Sequence, residues 1–144
     1  AYNADRPMEA VAAFQSARQG AGSGEERRDA GYGLMLSLLN LNMTEDAAAY
    51  AAQLPLTREQ RVEVEGQILD QRGVRAYEAG DYTRAIAFFE EHQRVTGVVR
   101  RDLELLRGYA LLNLDRRNEA RTVFQRLHDQ LSTPQTRAAL RAAR

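Results

Sequence analysis

Residues 113–124 read NLDRRNEARTVF, and residues 3–14, near the other end of the chain, read NADRPMEAVAAF. Asn, Asp, Arg, Glu, Ala and Phe recur at the same offsets, six of twelve positions. A match at that separation, with an Ala and a Phe four residues apart, is the mark of a tandem array. Two weaker copies lie between, NLNMTEDAAAYA at 40–51 and EAGDYTRAIAFF at 78–89. Their anchor alanines are Ala10, Ala47, Ala85 and Ala120, spaced by 37, 38 and 35 residues. Each copy has a turn-former at its third position: Asp5, Asn42, Gly80 and Asp115, with Asp81 able to cap in the third. Short polar side chains there accept from the free amides of a starting helix, so each copy is expected to mark a junction between two helices.

Between junctions the apolar residues recur at three and four, Leu34, Leu38 and Leu41 before the second junction and Leu103, Leu106, Ala110 and Leu114 before the fourth. Strand-like alternation is absent. Ser23 with Glu26, and Thr57 with Gln60, have capping-box spacing and place two helix starts. The pattern from Thr57 to Gly80 is unbroken, and its 38-residue spacing exceeds a 34-residue unit by about one helical turn, so an extra turn is expected there. GAGSG at 20–24 reads as loop, and Pro134 after Thr133 starts a last short helix whose Arg-rich face caps the array.

Composition narrows the function. The 144 residues suffice for one ordinary domain, and the 20 basic and 20 acidic residues cancel. There is no basic excess for a nucleic-acid backbone, so no nucleic-acid partner is expected. All basic residues apart from the two His are Arg, the bias of a GC-rich, bacterial genome. No Cys means no disulfide framework and no thiolate metal site. No apolar run approaches the roughly 20 residues that span a bilayer, so no direct membrane insertion is expected. The opening residues read as the end of one helix joined to another, as in a piece of a longer protein.

The stretch LDQRGVRAYEAGDYTRAIAFFEEH (69–92) carries a small residue in a first helix (Gly73), a GDY turn (Gly80 to Tyr82), a small crossing residue (Ala85) and a large apolar residue four later (Phe89). Gly108, Ala120 and Phe124 repeat three of these at an offset of 35. Here the chain resembles the tetratricopeptide repeat, a 34-residue helix-turn-helix unit. The resemblance implies an all-α, right-handed superhelical solenoid: a half repeat at 1–22, repeats at 23–56, 57–97 and 98–131, and a capping helix at 133–144. The second repeat departs from the pattern, with Met35 in the place of Gly73 and Ala51 in the place of Phe89.

In that family the first helices line a concave surface. The positions that project there map to a partner-binding groove of Tyr32, Leu36, Asn40, Asp70, Val74, Tyr77, Leu105, Tyr109 and Asn113. Aromatic bodies beside amide and acid groups suit an extended peptide or an amphipathic helix. Tyr32 and Tyr109 could equally pack against neighbouring helices, and Asn40 and Asn113 could be helix-end caps. The corresponding face has Tyr32, Leu36, Gln71 and Asp102 where acidic-tail binders of the family carry a basic clamp, which argues against chaperone-tail binding.

No enzyme, cofactor or metal is expected. His92 and His128 lie on neighbouring helices without an acidic cluster and read as exposed helix residues, and Glu90 with Glu91 reads as a solvated face. The expected function is a protein-interaction scaffold binding a peptide or protein segment on its concave face. The alternative is a structural spacer, or a module that self-associates through its open ends, within a larger bacterial envelope protein. Resemblance to repeat arrays of exopolysaccharide assembly and export proteins favours the periplasm.

Overall fold

A computed structural model of the chain describes residues 24–144. The half repeat expected at 1–22, with Asn3, Asp5, Ala10, Val11 and Phe14, lies outside the described residues, as does Ser23 of the first capping box. The described residues form seven helices and no strand: α1 Gly24–Asn40, α2 Thr44–Gln53, α3 Arg58–Glu78, α4 Tyr82–Thr96, α5 Arg101–Asn113, α6 Arg117–Gln130 and α7 Pro134–Ala142. At 21 residues α3 is eight longer than α5. The chain divides into two compact units, Ala1–Gln71 and Arg72–Arg144.

The helices stop and start where the repeated stretches lie; Asp81 caps as expected, but the turn-formers themselves act by a different device. Asn42, Gly80 and Asp115 all adopt the left-handed backbone, with φ of 57°, 77° and 60°. Behind each, an amide reaches back five residues: Met43 to the Leu38 carbonyl at 2.9 Å, Asp81 to Ala76 at 2.8 Å, Arg116 to Leu111 at 2.9 Å. Each junction is thus a Schellman stop, in which the left-handed residue ends the preceding helix rather than capping the next. The cap of the following helix is one residue on, and of Met43, Asp81 and Arg116 only Asp81 caps with its side chain, accepting from the Arg84 amide at 3.2 Å.

Three other helix ends follow simple chemistry. Thr57 and Gln60 exchange reciprocal bonds of 3.1 Å before α3. Thr133 and Thr136 do the same at the start of α7, with Pro134 in the first turn. Gly97, at φ 71°, ends α4, and its amide bonds to the Gln93 carbonyl at 2.8 Å.

In the first unit α1 packs on α2, and Leu34, Met35, Leu38, Ala47, Ala51, Leu54, Val64 and Ile68 form one core. Met35 is fully buried and Ala51 nearly so, so the large and small residues of the pattern have changed places between the two helices. Exchanging volumes in this way keeps the total that fills the core. In the second unit α4 packs on α5, α5 on α6 and α6 on α7. Ala85, Ala120, Phe89 and Phe124 are all buried there to 1% exposure or less. A Cβ on Gly73 would stand 2.7 Å from Phe89 Cδ1, and one on Gly108 2.9 Å from Phe124 Cδ1, closer than real carbons approach. The small residue of the first helix and the aromatic of the second are therefore one contact, made twice.

Arginine closes helix ends by donating to carbonyls that the helix leaves free. Arg61 reaches Ala51 and Leu54 at 3.2 Å each, at the end of α2, and past the end of α7 Arg117 reaches Arg144 at 2.8 Å and Arg121 reaches Ala143 at 2.9 Å.

Candidate functional site

Along α5 the residues Asp102, Leu105, Tyr109, Leu112 and Asn113 recur at helical spacing, so they share one side of the helix. Leu105, Tyr109 and Leu112 are half-buried, while Asp102 and Asn113 are exposed. The ring of Tyr109 leans on buried Phe124 with centroids 5.0 Å apart. Tyr77, at the end of α3, meets Tyr82 of α4 edge-on at 5.5 Å. Burial raises the Tyr77 pKa above the ordinary phenol value, and the nearby Tyr82 and Tyr109 raise it further. Three phenols thus share one region, each apolar on its packed side and able to hydrogen-bond at its tip.

At the foot of this strip a cleft of about 310 Å³ opens between the start of α5, the end of α6 and the start of α7. Leu105 and Leu127 line it with Arg101, Asp102, Thr133, Gln135 and Thr136. Its walls are held in place. Arg101 donates to the Leu127 carbonyl at 2.9 Å and also to that of Leu131. Thr133 and Thr136 are tied in their capping box, and His128 Nδ1 stands 3.0 Å from Thr136 Oγ1. Burial works to raise the Asp102 pKa, but hydrogen bonds from Arg100, its positive charge and the backbone amides of the first turn outweigh it, so the carboxyl lies below the usual aspartate value. Asp102 is an anion at the mouth of an apolar cleft.

The second unit therefore brings Tyr77, Leu105 and Tyr109 to one set of half-buried apolar residues around its core. Val74 packs instead against the group of Ala85, Phe89 and Leu103. Asn113 donates to the Tyr109 carbonyl of its own helix at 2.8 Å, which is a helix-end bond. In the first unit Tyr32 is half-buried on the core, and burial, then the Glu63 carboxylate, raise its pKa. Leu36 and Asp70 are half-buried, and Asn40 is exposed at the end of α1. Gln71 accepts from the Thr44 hydroxyl and donates to the Leu39 carbonyl at 2.8 Å, so it pins α3 to the α1–α2 junction.

The two histidines differ from their sequence reading, and a third polar group, Glu104, is buried. His92 is 4% exposed rather than a surface residue, and His128 is half-buried. Glu104 is 3% exposed: it accepts from Arg107 at 2.7 Å and from Gln93 at 2.5 Å, while Arg107 also reaches Glu90 at 3.3 Å. The signal was in the spacing, because Glu104 falls on the same stripe as buried Gly108 and Leu111. This four-residue cluster joins α4 to α5 and has no opening to a cavity among those described.

Among the described residues no group of acids and histidines is placed to hold a metal ion, and no helix is long and apolar enough to cross a membrane. Comparison with family models, curated proteins and solved structures finds no match.

Proposed function

We propose that the chain is a tetratricopeptide-like solenoid that binds a peptide or protein segment along its first helices, as an interaction scaffold and not as an enzyme. The observation that carries this reading is the strip of Tyr77, Leu105 and Tyr109, apolar, half-buried and continuous with a cleft at its foot. Such side chains are costly to leave against water and are the kind that anchor interfaces. The repeat pattern of paired helices, Schellman stops and Gly–Phe contacts supports the solenoid. The test is site-specific photo-crosslinking in a bacterial extract, with a benzophenone side chain at Leu112 or, on the polar side of α6, at Gln125. A partner trapped from position 112 and not from 125 supports the reading; equal trapping from both counts against it.

A spacer or self-associating module within a larger envelope protein is the second reading. It draws on Val98, Val99 and Leu131, which are 55%, 58% and 58% exposed in the loops before α5 and α7. Sedimentation of the parent and of a Val98→Ser, Val99→Ser variant separates it from the first, since only self-association through these loops makes the two differ.

A further inference from the structure

We infer that the cleft at the foot of α5 is an anchor pocket for one apolar side chain of the bound segment, next to which the segment carries a cationic residue that meets Asp102. This rests on the peptide-binding reading and adds the chemistry of the partner. Leu105 and Leu127 supply its apolar side chains, and about 310 Å³ accommodates a Leu, Met or Phe side chain. The cleft does not have to be organised on binding. The Arg101 bonds to two carbonyls and the Thr133–Thr136 box fix its rim, so little entropy is lost when it is filled.

Charge selects the neighbour. The Arg101 guanidinium is turned to the carbonyls that end α6, where it offsets the negative end of that helix. Asp102 pairs with Arg100 at 2.6 Å, but the two side chains are 63% and 41% exposed, and such a solvent-accessible pair is held weakly. An incoming cation can share or replace Arg100. Among Leu105, Tyr109, Leu112 and Asn113 no basic residue occurs, and near Tyr77 exposed Glu78 stands against exposed Arg75. From Asp102 to Asn113 the helix rises about 16 Å, the length of about five extended residues. A short segment with an apolar anchor and a flanking Arg or Lys matches this layout.

The experiment is a ¹H–¹⁵N NMR titration of the 144-residue protein with three end-blocked peptides: Gly-Ser-Leu-Arg-Ser-Gly, the same with Ala for Leu, and the same with Glu for Arg. The expected result is amide shifts centred on residues 101–105 and 133–136 with the first peptide, at least tenfold weaker binding with Ala and several-fold weaker with Glu. Asp102→Asn should remove the preference for Arg over Glu while keeping the preference for Leu over Ala. Gln135→Trp, a rim change at an exposed position, should block the cleft shifts without lowering the melting temperature. Shifts at Tyr77 and Tyr109 that bypass the cleft would overturn the pocket and leave the groove reading standing. No shift with any peptide, or equal binding of the Leu and Ala forms, would also overturn the pocket, while crosslinking from position 112 decides the groove separately.

Discussion

Phe124 occupies the space where Gly108 lacks a side chain, with its Cδ1 2.9 Å from the point a Cβ would take. The same relationship holds between Phe89 and Gly73, 35 residues earlier, at 2.7 Å. Helix-interior glycine ordinarily costs about 1 kcal/mol relative to alanine, so these positions give up helix propensity for a close crossing.

Gly108→Ala is therefore expected to destabilise in spite of its better propensity. Overpacking costs about 1–3 kcal/mol, which exceeds the propensity gain. Phe124→Leu in the same chain should relieve part of the loss, and urea midpoints of the two single variants and the double variant measure that coupling. Ala85→Leu and Ala120→Leu, at fully buried positions, should lose a similar amount.

The three left-handed stops respond in opposite directions to glycine chemistry. Asp115→Gly and Asn42→Gly should each raise stability by about 0.5–1 kcal/mol, because glycine adopts this backbone without the Cβ clash. Gly80→Ala should lower it by about 1 kcal/mol. Thermal melts of the three variants check the set, and a loss in Asp115→Gly would show that its side chain does more than end the helix.

Much of this was legible in the sequence because helix stops and small-large contacts repeat. Ala47, Ala85 and Ala120 were found from spacing alone, and all three are fully buried. Two features were not legible. Met35 and Ala51 read as losses of pattern, since one sequence shows each position singly and not the exchange of volume between two helices. The ion cluster around Glu104 was the other: the stripe it shares with Gly108 and Leu111 marks a buried position, but no local pattern brings Gln93 of α4 to it. For the site, the family resemblance grouped Leu105 with Tyr109, but the cleft depends on how α7 docks, which no local pattern records.

Glu104→Leu should destabilise the second unit by about 3 kcal/mol. It leaves Arg107, whose side chain is 16% exposed, with the exposed Glu90 as its remaining ion-paired partner and Glu119 further off. Adding Arg107→Met should restore part of the loss, since a charge is no longer left unpaired. Chemical denaturation of the single and double variants gives both numbers.

Acid should weaken the fold in a defined window. Asp102, Glu91 and Glu119 all lie below their ordinary pKa values: the last two are held down by hydrogen bonds from Arg94 and Arg116, and Asp102 is lowered against the opposing effect of burial. Their stabilisation is complete above the unfolded values near 4 and is lost as pH falls through the lower folded values. These groups are exposed, so the change should be small and should shrink further in high salt. Melting temperature between pH 7 and pH 3, at two salt concentrations, tests it. Tyr32 and Tyr77 have raised values, so their contribution is intact below about pH 10 and is lost as pH rises through the folded value. Phenolate absorbance should accordingly show part of the tyrosine titrating late.

The most direct test of the scaffold account is the affinity of a crosslinked partner for the parent and for a Tyr77→Ala, Tyr109→Ala variant, compared at a temperature where circular dichroism shows both folded. Losing aromatic anchors of this kind typically costs 2 kcal/mol or more, so the account predicts at least about a thirtyfold rise in Kd. Equal affinity of the two proteins would contradict it and leave the array as a spacer whose partners bind elsewhere.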